Sequence, residues 1–103
     1  MAANASKSVF CRRFKEARCA AGLSQRQLGI KVGLDEFVAS TRINRYEQGV
    51  HEADIATATR LAAVMQVPLP YFYANEDRMA RMILAFAQLS SKDQERMLKQ
   101  IEK

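Results

Sequence analysis

A complete helix-start signal at Ser24 constrains the fold of this 103-residue chain more than any other feature. Ser24 can cap the first turn of a helix, and Gln27 stands three residues later, where its side chain can bond back to the Ser24 amide. Gly33 ends this helix after fewer than three turns, and so short a helix must pack against neighbours to be stable. Gly29 inside it costs roughly 1 kcal/mol relative to alanine, which predicts the close approach of another helix.

Helical periodicity recurs along the rest of the sequence, whereas alternating strand patterns are almost absent. A first helix ends at Gly22, and a short helical turn in "VPLPYFYA" is predicted to place Phe72 in the core. Between them, a fourth helix has an inner face made of Ile55, Ala58, Leu61, Ala62 and Met65. The sequence therefore predicts an all-α fold, with a compact five-helix domain over residues 8–73 and a C-terminal helical segment over residues 74–103.

Charge and cysteine usage limit the class of protein. The net charge of +5, with the basic excess in residues 1–73, favours a polyanionic partner only modestly. Cys11 and Cys19 would lie roughly 12 Å apart on one helix, beyond disulfide reach, and His51 is the only histidine, so neither a metal nor a cofactor site is predicted. The sequence has no signal-peptide pattern, no membrane-length apolar run and no Ser/His/Asp or Cys/His catalytic set. We therefore expect a cytoplasmic protein that is not an enzyme and has no membrane partner.

The helix that ends at Gly49 has a polar outward face. At about 100° per residue, its apolar residues gather on one side, and the other side carries Thr41, Asn44, Arg45 and Gln48. Arginine can bind guanine through O6 and N7, asparagine and glutamine can bind adenine, and threonine can bond to a base or contact a thymine methyl group. Such a face suits the major groove of duplex DNA.

The segments "GLSQRQLGIKVG", "INRYEQG" and "ATRLAAVMQVP" resemble the lambda-repressor and Cro family of helix-turn-helix regulators, also called Xre-like, over residues 9–73. The resemblance implies a sequence-specific, double-stranded DNA-binding transcriptional regulator and, by family analogy, a repressor. It implies base contacts by Ser40, Thr41, Asn44, Arg45 and Gln48. It implies phosphate contacts by Gln25, Arg26, Lys31, Arg42 and His51, with Arg12 and Arg13 as further candidates. Glu47 is expected to bond inside the domain.

The chain departs from the family pattern by roughly four extra residues before Ile43. If Asp35 caps the third helix, the helix gains a turn at its N-terminus, and Glu36 would approach phosphates unfavourably. If Ser40 caps it, "LDEFV" is a loop with Phe37 tucked into a core. We favour the longer helix slightly.

The tail predicts two further helices, one from Asn75 to about Leu89 and one from Ser91 to about Glu102, with Ser91 and Gln94 as a second capping box. The first of these is apolar over more than half its circumference, so one face can close on the domain while the other is available to a second chain. We expect a homodimer through Met79, Ile83, Phe86, Leu98 and Ile101. A two-fold dimer would prefer an inverted repeat in DNA.

The apolar excess of the tail also leaves a second class of function open. An antitoxin or adaptor could use the same fold as a protein-interaction module, with another protein as its partner. The chain has five methionines, and such flexible apolar side chains suit binding surfaces of this kind.

Overall fold

A computed structural model describes the backbone of residues 2–102 and the side chains of residues 7–102. This part of the chain contains six α-helices, one 3-10 helix and no strand, which confirms the all-α prediction. The α-helices are α1 Ala2–Ala20, α2 Gln25–Lys31, α3 Ala39–Gln48, α4 Ile55–Met65, α5 Asp77–Gln88 and α6 Ser91–Ile101, and the 3-10 helix is Leu69–Tyr73. None of the described helices is both long and apolar enough to cross a membrane.

The capping box at Ser24 forms as predicted and sets the start of α2. The Ser24 hydroxyl accepts a bond from the Gln27 amide at 3.0 Å, and the Ser24 amide donates to Gln27 Oε1 at 2.8 Å. The predicted close approach at Gly29 is also present, because a Cβ placed there would lie 2.5 Å from Ala39 Cβ. The backbones of α2 and α3 can therefore pack together only because residue 29 has no side chain.

The core lies where α1 to α4 meet the 3-10 helix. Phe72 is fully buried as predicted, and its ring lies 5.2 Å from the Phe10 ring and 5.8 Å from the Phe14 ring between centroids. The other large side chains with no solvent exposure are Phe14, Leu28, Ile43 and Leu61. Ile55 does not join them and is 64% exposed, so its predicted place on the inner face is wrong. As the first residue of α4, it lies at the edge of that face.

Both predicted starts of the third helix are wrong. Residues 36–38 form a turn, α3 begins at Ala39, and Val38 occupies the cap position without a side-chain bond. Asp35 does not cap α3, because its carboxylate accepts the Phe37 amide at 2.8 Å within its own turn. Phe37 is 88% exposed rather than buried in a core. The extra residues thus form a tight turn that projects into solvent.

The tail is attached to α1 by one buried arginine. Arg13, only 4% exposed, donates to the Ala74 carbonyl at 2.9 Å, the Asn75 carbonyl at 3.1 Å and the Asp77 carboxylate at 2.9 Å. Arg12 adds a bond to Asp77 at 3.2 Å. These bonds fix the approach to α5 at the surface of α1.

The predicted start of α6 at Ser91 is confirmed, but the residue that caps the helix differs from the prediction by one position. Ser90, rather than Ser91, is the N-cap, and its hydroxyl accepts the Asp93 amide at 3.2 Å. Gln94 does not complete a capping box, because its side-chain amide donates to the Phe86 carbonyl at 2.9 Å. That bond uses Gln94 to tie α6 back to the end of α5.

Candidate DNA-binding surface

The outward face of α3 carries all five side chains predicted to read bases. Ala39, Ile43 and Glu47 are buried on the inner side of the helix. The exposed positions on the outer side are Ser40, Thr41, Asn44, Arg45 and Gln48. Along the described chain, Arg45 has no carboxylate within ion-pair distance. A row of hydrogen-bonding groups therefore faces solvent, and the Arg45 guanidinium within it is not neutralised by one of these carboxylates.

Gln25 connects α2 to this face. Its side-chain amide donates to Asn44 Oδ1 at 3.1 Å and to Glu47 Oε1 at 3.1 Å. Gln25 thus lies beside the outer side of α3 with its five exposed polar residues, which we call the reading face. Its bond to Asn44 holds the Asn44 side chain at the edge of this face that is nearest α2. The first turn of α2 and the outer side of α3 form one surface.

Glu47 has a structural role, as expected. Its side chain is 1% exposed and pairs with two of the three nitrogens of the Arg18 guanidinium, Nε to Oε2 and Nη2 to Oε1. Arg18 also donates to the Leu23 carbonyl at 2.9 Å, before α2 begins. The bond to Glu47 is the main reason that the pKa of Arg18 lies above its ordinary value. The acid on α3 is thus neutralised inside the protein, where it does not repel a nearby polyanion.

The predicted phosphate contacts are not all brought together. Gln25 and Arg26 lie side by side on the first turn of α2, although Arg26 forms an exposed ion pair with Glu36 at 3.0 Å. Arg42 lies on the flank of α3 that faces α4. His51 lies in the loop after Gly49, at the C-terminal end of α3.

Lys31 lies apart from the other predicted phosphate contacts. It lines a depression between the end of α1 and the end of α4, with Ala21 and Val64 among its neighbours. On α2 it is about 120° around the helix from Gln25, away from the side that faces α3. The two residues therefore lie on different sides of α2.

Arg12 and Arg13, the further phosphate candidates, bind the start of the tail instead. Both donate to the Asp77 carboxylate and the Asn75 carbonyl. These contacts, with that of Arg13 first, hold the pKa of Asp77 below its ordinary range. The sequence gives no sign of these bonds, because they depend on how the chain after the 3-10 helix returns to α1.

Three basic residues near α3 were missed by the sequence analysis. Lys7 and Lys15 line a shallow depression on α1 that continues to Gln48. Arg60 of α4 lies beside Arg42 in another depression. The spacing of eight residues places Lys7 and Lys15 on one stripe of α1, but their position beside α3 depends on helix packing that the sequence does not reveal.

An open cleft of about 600 Å³ lies at the C-terminal end of α3, and His51 forms part of its wall. Aromatic side chains of Phe10, Tyr46 and Tyr73 line it together with Cys11. Burial is the main reason that the pKa of the Cys11 thiol is raised. The cleft is therefore a mixed depression, in which these aromatic side chains meet the ionisable side chains of Lys7, His51, Glu52 and Asp54.

Comparisons with known proteins identify the family. The helix-turn-helix family matches residues 14–72, which is more than half of the chain. A solved structure described as that of the transcriptional regulator BswR is 43% identical, with a TM-score of 0.85 over 89% of this chain and 91% of that one. A comparison with curated proteins gives no match. On these findings, the chain belongs to the lambda-repressor-like, or Xre-like, helix-turn-helix family of DNA-binding transcriptional regulators.

Proposed function

We propose that this protein is a sequence-specific repressor that binds an inverted repeat in duplex DNA as a homodimer. The observation that carries the proposal is the exposed row on α3 formed by Ser40, Thr41, Asn44, Arg45 and Gln48. The helix is held from behind by the buried pair of Arg18 and Glu47, so its outer side can enter a groove without rearrangement. The repressor assignment rests on family analogy.

Each side chain of the row has a role that suits its chemistry. Arg45 would bind guanine O6 and N7, whereas Asn44 and Gln48 would bind adenine. Ser40 and Thr41 are short enough to bond with a base close to the helix backbone. Because direct base contacts of this kind distinguish all four base pairs in the major groove, they account for sequence preference.

Phosphate contacts on both sides of α3 would set its orientation. Gln25 and Arg26 would bind one strand beside the N-terminal turn of α2. On the other flank, Arg42 and Arg60 line one depression, where they would bind the other strand. Lys7 and Lys15 would extend the basic surface along α1, and His51 would contribute at the loop after α3. These contacts carry no base information and should depend strongly on salt.

The homodimer is proposed through the side of the tail that the domain leaves open. On α5, Ala80 is buried, and Ile83 packs against the core with Leu84. Ile83 therefore belongs to the inner side and is removed from the proposed interface. Met79 is 55% exposed on the outer side, and Met82, which the sequence analysis did not name, is 45% exposed.

The outer side of α5 continues into α6. Phe86 and Leu89 line a groove there with Met97 of α6. Leu98 is half-buried, while Ile101 is 61% exposed near the end of the helix. A second copy would cover this surface and place two α3 helices about 34 Å apart, or a multiple of that distance, for successive major grooves.

The same uncovered surface favours a second candidate, in which the tail binds a different protein and the chain acts as an antitoxin or adaptor. The two proposals differ in a simple measurement. A purified chain that sediments as a homodimer supports the first, whereas a stable monomer would favour the second.

Selection from random duplex DNA with the purified full-length chain tests the proposal directly. The expected product is an inverted repeat whose half-sites are centred about 10 base pairs apart, or a multiple of that spacing. The selected site, placed over a promoter, should lower transcription of a reporter when the protein is present. Recovery of no common sequence at moderate salt, or activation of the reporter, would contradict the proposal.

A further inference from the structure

Phe37 is the most exposed large apolar side chain among the described residues. It is 88% exposed, whereas the next values are 65% for Val50 and 64% for Ile55. Burying such a ring inside the protein would favour folding, because it removes a large apolar surface from water. The turn therefore leaves in solvent an aromatic ring that would stabilise the fold if it were buried in the core.

The turn that carries Phe37 is held at both ends. The Asp35 carboxylate accepts the Phe37 amide at 2.8 Å, and the Val38 amide donates to the Asp35 carbonyl at 3.1 Å. After the turn, the Arg42 amide donates to the Val38 carbonyl at 2.9 Å, so the backbone passes directly into α3. Phe37 thus has a defined position relative to the reading face.

The residues on either side of Phe37 are fixed by the protein. Glu36 is directed toward α2, because its carboxylate pairs with Arg26 at 3.0 Å. Val38 occupies the cap position of α3. Phe37 lies between them, so its exposed ring is at the N-terminal end of the reading face, three residues before Ser40.

We propose that Phe37 reads sequence by contacting the C5-methyl group of thymine in the major groove. The inference rests on the proposed function, since it requires α3 to lie in that groove. A phenyl ring has no hydrogen-bonding group, and the thymine methyl is the apolar feature that bases present there. Because recognition helices contact bases mainly through their N-terminal residues and Phe37 lies just before α3, the thymine should lie beside the base pairs that Ser40 and Thr41 contact.

The test combines a change in the protein with a change of one methyl group in the DNA. The site selected by the full-length chain is prepared with uracil in place of thymine at one position of each half-site in turn. At one such position the unmodified chain should lose about fourfold in affinity per half-site, the factor that corresponds to ~0.8 kcal/mol for one buried methyl group. For Phe37→Ala, thymine and uracil should be bound equally at that position, while Phe37→Leu should keep part of the preference.

Ile55→Ala is the matched control, because it removes another exposed apolar side chain at the opposite end of α3. It should leave the thymine preference unchanged. Melting temperatures of the Phe37 variants should match that of the unmodified chain, because the ring is exposed. The proposal is overturned if uracil is tolerated everywhere by the unmodified chain, or if Phe37→Ala keeps the full preference. A chain that selects no site at all would instead refute the proposed function itself.

Discussion

The helix-turn-helix unit, α1 to α4 with the 3-10 helix, and the tail, α5 and α6, use their apolar residues in opposite ways. In the unit, Phe14, Leu28 and Ile43 are completely buried. In the tail, Ala80 is the one buried residue of α5, and α6 has none among the described residues. The radius of gyration is 15.0 Å, which exceeds the value of about 13 Å for a compact domain of 100 residues. The molecule is therefore less compact than a single closed domain of this length.

This difference indicates which part of the molecule can be stable alone. Most of the core belongs to the unit, and α5 completes it with Ala80 and with the packing of Ile83 and Leu84. The tail is held to the unit through Arg13 and through the inner side of α5, but its outer side has no second layer. An amphipathic helix gains most of its stability from covering its apolar side, so α6 should depend on a partner for its order.

The largest expected effect on stability comes from the same side-chain truncation, leucine to alanine, made in each of the two regions. Leu28→Ala should lower the free energy of unfolding by about 3–5 kcal/mol, because it leaves a cavity in a closed core. Leu98→Ala removes the same atoms from a half-buried position on α6, and its effect should grow with protein concentration, since the proposed dimer would cover Leu98 fully. Urea unfolding at two concentrations measures both. Equal losses at low concentration would show that the tail closes a core of its own.

The second effect concerns the outer side of the tail. Met79→Glu combined with Phe86→Glu should produce a monomer, because two charges would be buried at the interface between copies. Affinity for the inverted repeat should fall by about 100-fold or more, since the second half-site no longer binds intramolecularly, while a single half-site is bound as before. Sedimentation and titration with both DNAs measure this.

Glu95→Gln, an exposed change on α6, is the control for the tail variants. It should sediment and bind as the unmodified chain does. If the double glutamate variant remains a dimer, the interface lies in the helix-turn-helix unit. The exposed apolar side of the tail would then not be explained by binding to a second copy.

The third effect is confined to the reading face. Arg45→Ala should cost about 1–3 kcal/mol on the selected site and relax the preference at one base pair. Gln25→Ala should weaken binding more evenly across sequences, although it also removes the bond that holds Asn44. Neither change touches the tail, so the dimer should persist. Unchanged preference after Arg45→Ala would place the base contacts on another face.

Local signals predicted much of the unit. The Ser24 cap depends on residues three apart, and the face that carries Arg45 depends on the helical period, so both are visible in the sequence. The start of α3 was not predictable in this way, because Asp35 and Ser40 are both good caps. It is set by tertiary packing, in which Ala39 lies against Gly29, and by the bond of Asp35 within its own turn.

Contacts between segments that are distant in the sequence were not predicted, because tertiary packing also decides them. Periodicity shows that α5 has two apolar sides, but it does not show which side meets the domain, and Ile83 was assigned to the wrong one. The basic residues of α1 look equivalent in the sequence. Packing separates them, so that Arg13 holds the tail while Lys7 and Lys15 lie beside α3.

The smallest effect concerns the junction between the two regions and its dependence on pH. Arg13 and then Arg12 hold the pKa of Asp77 below its ordinary value. A carboxylate with a lowered folded-state pKa stabilises the fold above its unfolded-state pKa, near 3.9, and that contribution is lost as pH falls through the lower folded-state value. Asp77 is exposed, so solvent and salt should keep the contribution small.

Comparing Asp77→Asn with the unmodified chain isolates this contribution. The unmodified chain should be slightly more stable between pH 5 and 7, and the difference should shrink as pH falls below about 4. Added salt should reduce the difference at neutral pH, because the carboxylate and the two guanidinium groups lie near solvent. Hydrogen exchange of the α5 amides is the sensitive measurement, since the junction should open before the core of the unit unfolds. A difference that persists unchanged at pH 2.5 would mean that Asp77 supports the junction through packing rather than charge.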